Sequence, residues 1–278
     1  YGNAINYISI MKEKPINKFE ISKSKLTSNM KDKIYLILDS VNRKKNKVTI
    51  NGIIIDISQK SIKMTNLVRD LENISGIGRR KANTLITLGV RKISDLSKPK
   101  YISYLSEESK AFLKYKPVLK IPRETITKIS KTLLFSPNIE TTIVGSYLRG
   151  KSSSRDIDIM VVSNDRVINK YIQHLTAKTD TVVYSKGPSK ASLLLNYKKK
   201  YYKIDIFKAT PLEKITMKLY LTGSASFNIM IRRKAKDAGY TLNQRGLFRK
   251  SNSARITHKN DKDLFKVLNL NYINPKNR

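Results

Sequence analysis

The sequence predicts an α+β protein with several subdomains, built around a small mixed β-sheet with flanking helices. Three observations support this prediction: apolar runs of strand length carry carboxylates in the middle of the chain, a Gly-Ile-Gly turn joins two helical segments before them, and a lysine-rich helical region precedes both. At 278 residues the chain can bury a substantial core. The predicted parts are a basic amino-terminal helical domain (1–65), a helical subdomain (66–118), a sheet subdomain (119–209) and a carboxy-terminal subdomain (210–278).

Charge is the most unusual property of the composition. The chain has 56 lysine and arginine residues against 21 acidic residues, a formal net charge of +35. Such a field attracts a polyanion, with an affinity that falls steeply as salt rises. An anionic membrane is the competing partner. The chain has no run of eighteen apolar residues and no tryptophan to anchor a basic helix, so we expect no membrane association.

Cysteine is absent, which excludes disulfides, thiolate zinc sites and a cysteine nucleophile. The two histidines, His174 and His258, stand apart from other candidate ligands and are expected to be structural or exposed. No signal-like apolar run opens the sequence, so we expect an intracellular, reducing compartment such as the nucleus, the cytoplasm or a virion.

The first half of the chain is predicted to be mainly helical. A helix over Met30–Ser40 is indicated by apolar residues that share one face. The run Val48–Ile57 is β-like, and its Asn51-Gly52 step is typical of a hairpin turn. Apolar periodicity predicts further helices within Thr65–Leu96, over Ser106–Tyr115 and over Glu124–Phe135.

The helical pattern at Thr65–Leu96 is interrupted by Gly76-Ile77-Gly78, which is followed by Arg79, Arg80 and Lys81. Glycine adopts backbone conformations that other residues resist, and the N–H groups that open the second helix can face a phosphate. Cations at a helix amino terminus oppose the helix dipole, so we expect an anionic partner to neutralise them. The segment is predicted to be a helix-hairpin-helix that grips the backbone of DNA.

The segment after the strand-like run Thr141–Val144 carries the clearest chemical pattern. A Gly145-Ser146 turn is followed by Asp156 and Asp158, which flank one isoleucine. Alternate residues of a strand point to one face, so the two carboxylates project together. Adjacent carboxylates repel unless a cation lies between them, and Mg²⁺ prefers such ligands together with substrate phosphates. With Arg149 as a further phosphate donor, we predict a nucleotidyl-transfer site.

A third carboxylate, Asp205, lies in a later strand-like run. In this run Lys203 and Asp205 share one face, while the isoleucines beside them share the other. If this strand lies beside that of Asp158, the three carboxylates can hold two metal ions about 3.5–4 Å apart. After a helix at Arg166–Ala177, the predicted strands are Thr181–Tyr184, Ser192–Tyr197 and Tyr201–Phe207.

The run Tyr220-Leu-Thr-Gly-Ser224 narrows the predicted nucleotidyl-transfer site to one family of enzymes. Together with the Gly-Ser turn, the three aspartates, the Gly-Ile-Gly hairpin and Ile121-Pro-Arg-Glu124, it resembles the family X DNA polymerases, the family of DNA polymerase beta. The resemblance covers roughly Leu71–Arg278. It implies that 66–118 is a helix-hairpin-helix subdomain, that 119–209 is a catalytic palm and that 210–278 binds nucleotide.

The resemblance implies a gap-filling DNA polymerase of base excision repair, a monomer that uses deoxynucleoside triphosphates on gapped or primed DNA. Two Mg²⁺ ions, or Mn²⁺ as a substitute, would be bound by Asp156 and Asp158, with Asp205 on the catalytic ion. The implied nucleotide-binding residues are Ser146, Arg149, Gly150, Tyr220, Gly223 and Asn228. The implied DNA-binding residues are Gly76, Gly78, Arg79, Arg80, Lys81, Lys203 and Arg232.

Three positions depart from the family pattern. Lys203 stands where the family usually has arginine, Leu221 replaces a phenylalanine, and Ala225 replaces an acidic residue near the base. These changes bear on fidelity and sugar discrimination.

The amino-terminal region faintly resembles the lyase domain of the family over Leu26–Leu38. This places Lys33 at the Schiff-base lysine, which attacks the aldehyde of an abasic sugar phosphate. Lys23, Lys25 and Lys31 would lower its pKa and bind the 5′-phosphate. The glycines of the family's first hairpin are absent here, so a solvated lysine face is the alternative.

Two other functions remain open at this stage. One is a nucleotidyltransferase that works without a template or tails RNA, and the other is a non-catalytic DNA-binding derivative. The hairpin and Arg232 favour a template, and the three retained carboxylates favour catalysis.

Overall fold

The structure, a computed structural model, describes residues 27–56, 58–134, 139–164 and 167–278. The chain divides into two compact units. The first comprises Tyr1–Asn73 and Ile77–Lys98, and the second comprises Ile74–Gly76 and Pro99–Arg278. The four-part division made from the sequence remains a prediction.

The first unit is helical with one β-hairpin. Its elements are α1 (Ser28–Asn42), β1 (Lys47–Ile50), β2 (Ile53–Asp56), α2 (Gln59–Glu72), α3 (Arg79–Thr87) and a 3-10 helix (Ile93–Ser97). The predicted hairpin is confirmed: β1 and β2 are antiparallel, and Asn51 and Gly52 have φ of 52° and 77°. Apolar residues of the predicted helical pattern form the core, and Leu71, Leu85, Val90 and Leu96 are fully buried.

The second unit contains the mixed sheet predicted from the sequence. The elements of this part are α4 (Pro99–Ile102), α5 (Glu107–Tyr115), β3 (Ile121–Pro122), α6 (Arg123–Leu133), β4 (Glu140–Ile143), α7 (Gly145–Leu148), β5 (Ser153–Ser154), β6 (Ile157–Val162), α8 (Val167–Lys178), β7 (Thr181–Lys186), β8 (Lys190–Tyr197) and β9 (Lys200–Ala209). The strand order of the mixed sheet is β4-β6-β9-β8-β7, and in this sheet only the β6–β9 pair is parallel.

One face of this sheet packs on helices α6 and α8. The isoleucines Ile157, Ile159, Ile204 and Ile206 are fully buried on that face, in one cluster with the apolar residues of both helices. Because strand residues alternate, the aspartates between these isoleucines must lie on the opposite face. The hydrophobic pattern thereby fixes the register that brings the carboxylates together.

The carboxy-terminal part has its own small core. Its elements are α9 (Lys214–Thr222), α10 (Ala225–Asp237), β10 (Tyr240–Asn243), β11 (Gly246–Arg249), β12 (Arg255–Ile256), α11 (Asp261–Val267) and a 3-10 helix (Pro275–Asn277). The aromatic rings of Phe227 and Phe265 stack in this core with centroids 6.1 Å apart. The Arg278 guanidinium lies over both rings and forms an ion pair with Asp261 at 3.0 Å. Among the described residues, no helix is both long and apolar enough to span a membrane.

Candidate active site

Three carboxylates meet on the face of the mixed sheet opposite helices α6 and α8. Asp158 and Asp205 are directly paired across the parallel strands β6 and β9, and Asp156 lies one residue before β6. One carboxylate oxygen of each residue lies within 4.8 Å of the other two. Asp205 is only 5% exposed, and the other two are half-buried. The expected adjacency of the two acidic strands is therefore present.

The Gly145-Ser146 turn closes directly over Asp158. The Val144 N–H donates to the Asp158 carbonyl at 2.9 Å. Gly145 has a φ of +64°, and a Cβ built on it would lie 2.1 Å from Asp158 Oδ2. Only glycine fits here, because both the backbone angle and the contact exclude a side chain. The turn then opens the short helix α7.

Burial and neighbouring negative charges disfavour the charged forms of Asp156 and Asp158. Burial raises the pKa of Asp158 to about 7, and the neighbouring charges of Asp156 and Asp205 contribute. Burial also raises the pKa of Asp156, with a further contribution from Asp205. A divalent cation would stabilise the charged forms of all three groups. The donor set, three carboxylates with one oxygen each within 4.8 Å of the others, fits a hard cation that takes oxygen ligands.

Asp205 has side-chain partners that the sequence analysis missed. The Ser192 hydroxyl donates to Asp205 Oδ1, and the Lys190 ammonium lies 3.4 Å from Oδ2. Both residues lie on β8, which pairs with β9. Their role depends on the strand register, which the sequence pattern did not define. A lysine and a serine at alternate positions of a strand would have been the only signal.

Lys203, predicted to bind DNA, is part of an internal network. Its ammonium lies 3.1 Å from Glu108 Oε1 and 3.7 Å from Asp205 Oδ2. Although burial lowers the pKa of Lys203, the charges of Asp205 and Glu108 hold it above its usual value. The pKa of Glu108 is lowered despite its burial, because Ser75 and Lys203 donate to the carboxylate.

A cleft of about 440 Å³ lies beside the carboxylates and contains most of the predicted nucleotide-binding residues. Phe207, two residues after Asp205 on β9, forms part of its wall. The predicted residues that line the cleft are Arg149, Tyr220, Gly223, Asn228 and Arg232. The departures Leu221 and Ala225 also line it, together with Ile229. The cleft is therefore lined by both polar and apolar side chains.

The polar groups of the cleft are held by contacts with α9. Arg149 Nη1 donates to the Thr222 carbonyl, and Asn228 Nδ2 donates to the Tyr220 carbonyl at 2.8 Å. The Arg232 guanidinium lies 5.2 Å from the centre of the Tyr220 ring. The Nε of Arg149 is buried and has no hydrogen-bond partner among the described residues. The peptide bond between Gly223 and Ser224 is cis.

Ser146 and Gly150 are not among the residues that line the cleft. The Ser146 hydroxyl donates to the Ser154 hydroxyl at 2.6 Å. Gly150 has a φ of +77°, and a Cβ at this position would lie 3.4 Å from the side chain of Lys276. The Lys276 side chain thus lies next to Gly150, and it is exposed. The sequence analysis did not identify Lys276 as a basic neighbour of the Gly-Ser segment.

The two glycines of the hairpin, Gly76 and Gly78, differ in whether their backbone conformation requires glycine. Gly76 has a φ of +84°, and a Cβ there would lie 2.6 Å from the Ser106 hydroxyl, so glycine is required. Gly78 has an extended φ of −89° and open space around it, so the expectation that it needs unusual backbone freedom is wrong. Gly78 precedes α3 as its N-cap and leaves the first N–H groups of the helix uncovered by a side chain.

The basic residues that open α3 are partly satisfied within the protein. Arg79 Nε donates to Glu72 at 2.9 Å. The preceding helix therefore supplies Arg79 with an anionic partner within the protein, and its contact with DNA stays a prediction. Arg80 is exposed and Lys81 is half-exposed.

Lys33, the predicted Schiff-base lysine, lies in α1 and is half-buried. Ile34 beside it is buried, as the predicted helix requires. Lys23 and Lys25, the proposed companions of Lys33, lie outside the described residues.

Comparisons with known proteins extend over most of this chain. Family models described as the DNA polymerase beta palm and the DNA polymerase beta thumb match residues 120–220 and 217–278. A crystal structure of Leishmania infantum polymerase beta, a ternary P/T complex, covers 78% of this chain and 99% of its own with a TM-score of 0.67. At 22% identity this likeness concerns the fold.

Curated relatives are similar in sequence as well. The Repair DNA polymerase X of African swine fever virus is 31% identical over 147 residues, which is 52% of this chain and 83% of the viral protein. DNA polymerase lambda of Rattus norvegicus is 24% identical across 100% of this chain and 52% of its own length. Because the palm and thumb models match and most of the viral relative is covered, this chain belongs to the family X DNA polymerases.

Proposed function

We propose that this DNA polymerase fills short gaps in DNA during base excision repair, adding one deoxynucleotide at a time to a primer 3′-hydroxyl. The observation that carries the proposal is the position of the three clustered carboxylates beside a cleft of nucleotide size. The viral relative is named a repair polymerase, and one of the structural neighbours is described as a ternary gap complex.

Asp156, Asp158 and Asp205 would hold two Mg²⁺ ions, which Mn²⁺ can replace. Bound divalent ions would neutralise the triphosphate and favour the deprotonated form of the primer hydroxyl. The chain's own contribution is to hold the three oxygens together on rigid strands. Residues paired across β6 and β9 can keep this geometry without a mobile loop.

The cleft would bind the incoming nucleotide. The Arg149 guanidinium lines the cleft and is suited to a phosphate oxygen, because guanidinium forms charge-assisted hydrogen bonds with phosphate. Ser146 and Gly150 would border the same phosphates. Tyr220 and Gly223 would contact the sugar, and Asn228 would donate to the minor-groove acceptors that all base pairs share.

DNA would be bound by the hairpin and by the basic surface. Arg80 and Lys81 would contact phosphates at the start of α3, and Arg232 would contact the template strand from the cleft. Lys203 would act near the primer terminus. We further propose that the polymerase works as a monomer in an intracellular, reducing compartment.

Single-nucleotide insertion tests this function. Wild-type protein with Mg²⁺ is given gapped, primed and single-stranded DNA of the same primer sequence, with each of the four deoxynucleoside triphosphates. We expect the complementary nucleotide to be inserted fastest on the gapped substrate. Untemplated addition at an equal rate on single-stranded DNA would contradict the proposal and favour a terminal transferase.

A 5′-deoxyribose phosphate lyase activity is a second proposal. It rests on the resemblance around α1 and on the position of Lys33 in that helix. Borohydride trapping on an incised abasic end tests it, with Lys33→Ala compared against Lys63→Ala, at an exposed lysine of α2. We expect only Lys33→Ala to lose the trapped adduct, and equal trapping by the two variants would contradict the assignment.

A further inference from the structure

A network of side chains links the third carboxylate to residues of the hairpin segment. The Lys203 ammonium donates to Ser75 Oγ at 3.0 Å and to Glu108 Oε1 at 3.1 Å, and it lies 3.7 Å from Asp205 Oδ2. The Ser75 hydroxyl also donates to Glu108, and the Ser109 hydroxyl donates to the Ser75 carbonyl at 3.0 Å. The Lys203 side chain is 14% exposed, so these groups rather than water solvate its charge.

The network surrounds the oxygen that Asp205 can offer to a metal. Oδ1 already accepts a hydrogen bond from Ser192. Oδ2 accepts a longer hydrogen bond from the Lys190 ammonium at 3.4 Å, and the Lys203 ammonium lies 3.7 Å from it. Because it lacks the short Ser192 hydrogen bond, we take Oδ2 as the oxygen offered to a metal. An ammonium that closes on Oδ2 occupies the lone pairs that a cation needs and adds repulsion against the cation.

Glu108 provides a competing partner for one of these lysines. The Lys203 ammonium lies 3.1 Å from the Glu108 carboxylate and 3.7 Å from the Asp205 carboxylate. Its closer, charge-assisted hydrogen bond is therefore the one with Glu108. If Glu108 loses its charge, Lys203 has only Asp205 within ion-pair distance among the described residues.

We propose that Glu108 is a positioning residue for the metal site, whose carboxylate holds the Lys203 ammonium back from Asp205 Oδ2 and leaves this oxygen available to a divalent cation. The inference rests on the proposed function, because it takes Asp205 as a metal ligand. Glu108 itself touches neither substrate nor metal.

Binding of Mn²⁺ to the intact protein tests this role directly. Free Mn²⁺ is measured by electron paramagnetic resonance during a titration without DNA or nucleotide. We expect Glu108→Gln to raise the Kd for Mn²⁺ about tenfold, because Lys203 is released from Glu108 and its ammonium closes on Asp205 Oδ2. Glu107→Gln is the matched control, since Glu107 is adjacent, 71% exposed and paired only with Lys110 among the described residues. This control is expected to change the Kd less than about twofold.

A double-mutant cycle separates this role from a general charge effect. If Glu108 acts through Lys203, adding Glu108→Gln to a Lys203→Met protein should leave the Kd for Mn²⁺ nearly unchanged. Glu108→Asp, which keeps the charge on a shorter side chain, should give an intermediate Kd and serves as the folded variant if Glu108→Gln lowers the thermal midpoint.

Two results would overturn the role of Glu108: equal Kd values for Glu108→Gln and Glu107→Gln, or an effect of Glu108→Gln that persists in the Lys203→Met background. The metal assignment fails in a different way. If wild type and Asp205→Asn bind Mn²⁺ equally, Asp205 is not a ligand, and the proposed function rather than the role of Glu108 alone is contradicted.

Discussion

Gly145 sets the distance between the Gly-Ser turn and the carboxylates. Since a Cβ here would lie 2.1 Å from Asp158 Oδ2, Gly145→Ala must displace the backbone or the carboxylate. A displacement near 1 Å at reacting groups costs about 10²-fold in rate, so we expect single-nucleotide insertion to slow by about that factor. The measurement is a single-turnover rate with saturating metal.

Gly239→Ala is the control for this substitution. Gly239 has a similar φ of +82°, but a Cβ added to it would have no atom within 4 Å, so this variant carries the backbone strain without the contact. Equal insertion rates for the two variants would show that the contact with Asp158 has no part in the geometry of the site.

The candidate site was predictable where residue spacing alone determines it. Asp156 and Asp158 are separated by one residue, and strand alternation places them together whatever the rest of the chain does. Asp205 needed the further condition that its strand be adjacent. Lys190, Ser192 and Glu108 could not be found, because their contacts depend on register and on packing between segments far apart in the sequence.

At the scale of elements, the core of the carboxy-terminal part depends on one arginine. The Arg278 side chain is 2% exposed, contacts three aromatic rings and pairs with Asp261. We expect Arg278→Ala to destabilise the protein by about 2–3 kcal/mol, from lost cation–π contacts and an unpaired carboxylate. Chemical denaturation measures this loss.

Arg278→Lys should recover only part of that stability, because an ammonium cannot stack on rings as a planar guanidinium does. Arg249→Ala, at an exposed arginine at the end of β11, should change stability by less than about 0.5 kcal/mol. If Arg278→Ala is no more destabilising than Arg249→Ala, the contacts of Arg278 with the three aromatic rings do not stabilise this core.

The 3-10 helix of the first unit has a pH-dependent support. Asp95 accepts hydrogen bonds from the Arg91 and Lys92 backbones and pairs with Lys98 at 2.9 Å. The hydrogen bond with Lys98 is the largest of the effects that lower the pKa of Asp95 to about 2. Its stabilising contribution is therefore complete above pH 3.8, the ordinary pKa, and is lost as pH falls through about 2.

We expect Asp95→Asn to unfold at a lower temperature than wild type at pH 6, with the difference shrinking as pH approaches 2. Thermal melts across this range measure it. Asp70→Asn, at an exposed position of α2, provides the control for removing one acidic charge from the same unit. A difference between Asp95→Asn and wild type that is constant with pH would contradict the ionic role of Asp95.

Elements were predictable in proportion to their length and periodicity. Four predicted helices, over Met30–Ser40, Ser106–Tyr115, Glu124–Phe135 and Arg166–Ala177, and the longer strands of the mixed sheet lie close to their predicted positions, and the Asn51-Gly52 turn indicated its hairpin. No bounds were predicted for the carboxy-terminal helices α9, α10 and α11. The strands β10, β11 and β12 have only two to four residues, too few for alternation to be recognised. Helix α7 was also missed, because its four residues form at a turn whose shape depends on contact with Asp158.

For the whole molecule, the net charge of +35 should govern DNA binding through counterion release. If the hairpin contacts phosphates, replacing Arg80 and Lys81 by alanine should lower the slope of log K against log salt by about 2, one for each cation. Fluorescence anisotropy between 50 and 200 mM salt, about the range in which such slopes are measured, provides the comparison.

Lys128→Ala combined with Lys120→Ala is the matched control, because it removes two cations from another part of the protein, one of them paired with Glu124. We expect this pair to leave the salt slope nearly unchanged. A similar loss of slope in both double variants would mean that binding follows total charge and that the hairpin is not a specific contact.

If Asp156, Asp158 and Asp205 form the catalytic centre of this polymerase, the single-turnover rate of nucleotide insertion into gapped DNA depends on their negative charge. Asp158→Asn, close in size but uncharged, should lower this rate by at least about 10³-fold. Asp180→Asn, at an exposed aspartate bonded to Asn196 and Tyr201, should retain the wild-type rate. If Asp158→Asn inserts nucleotides as fast as Asp180→Asn, the carboxylate cluster is not the catalytic centre.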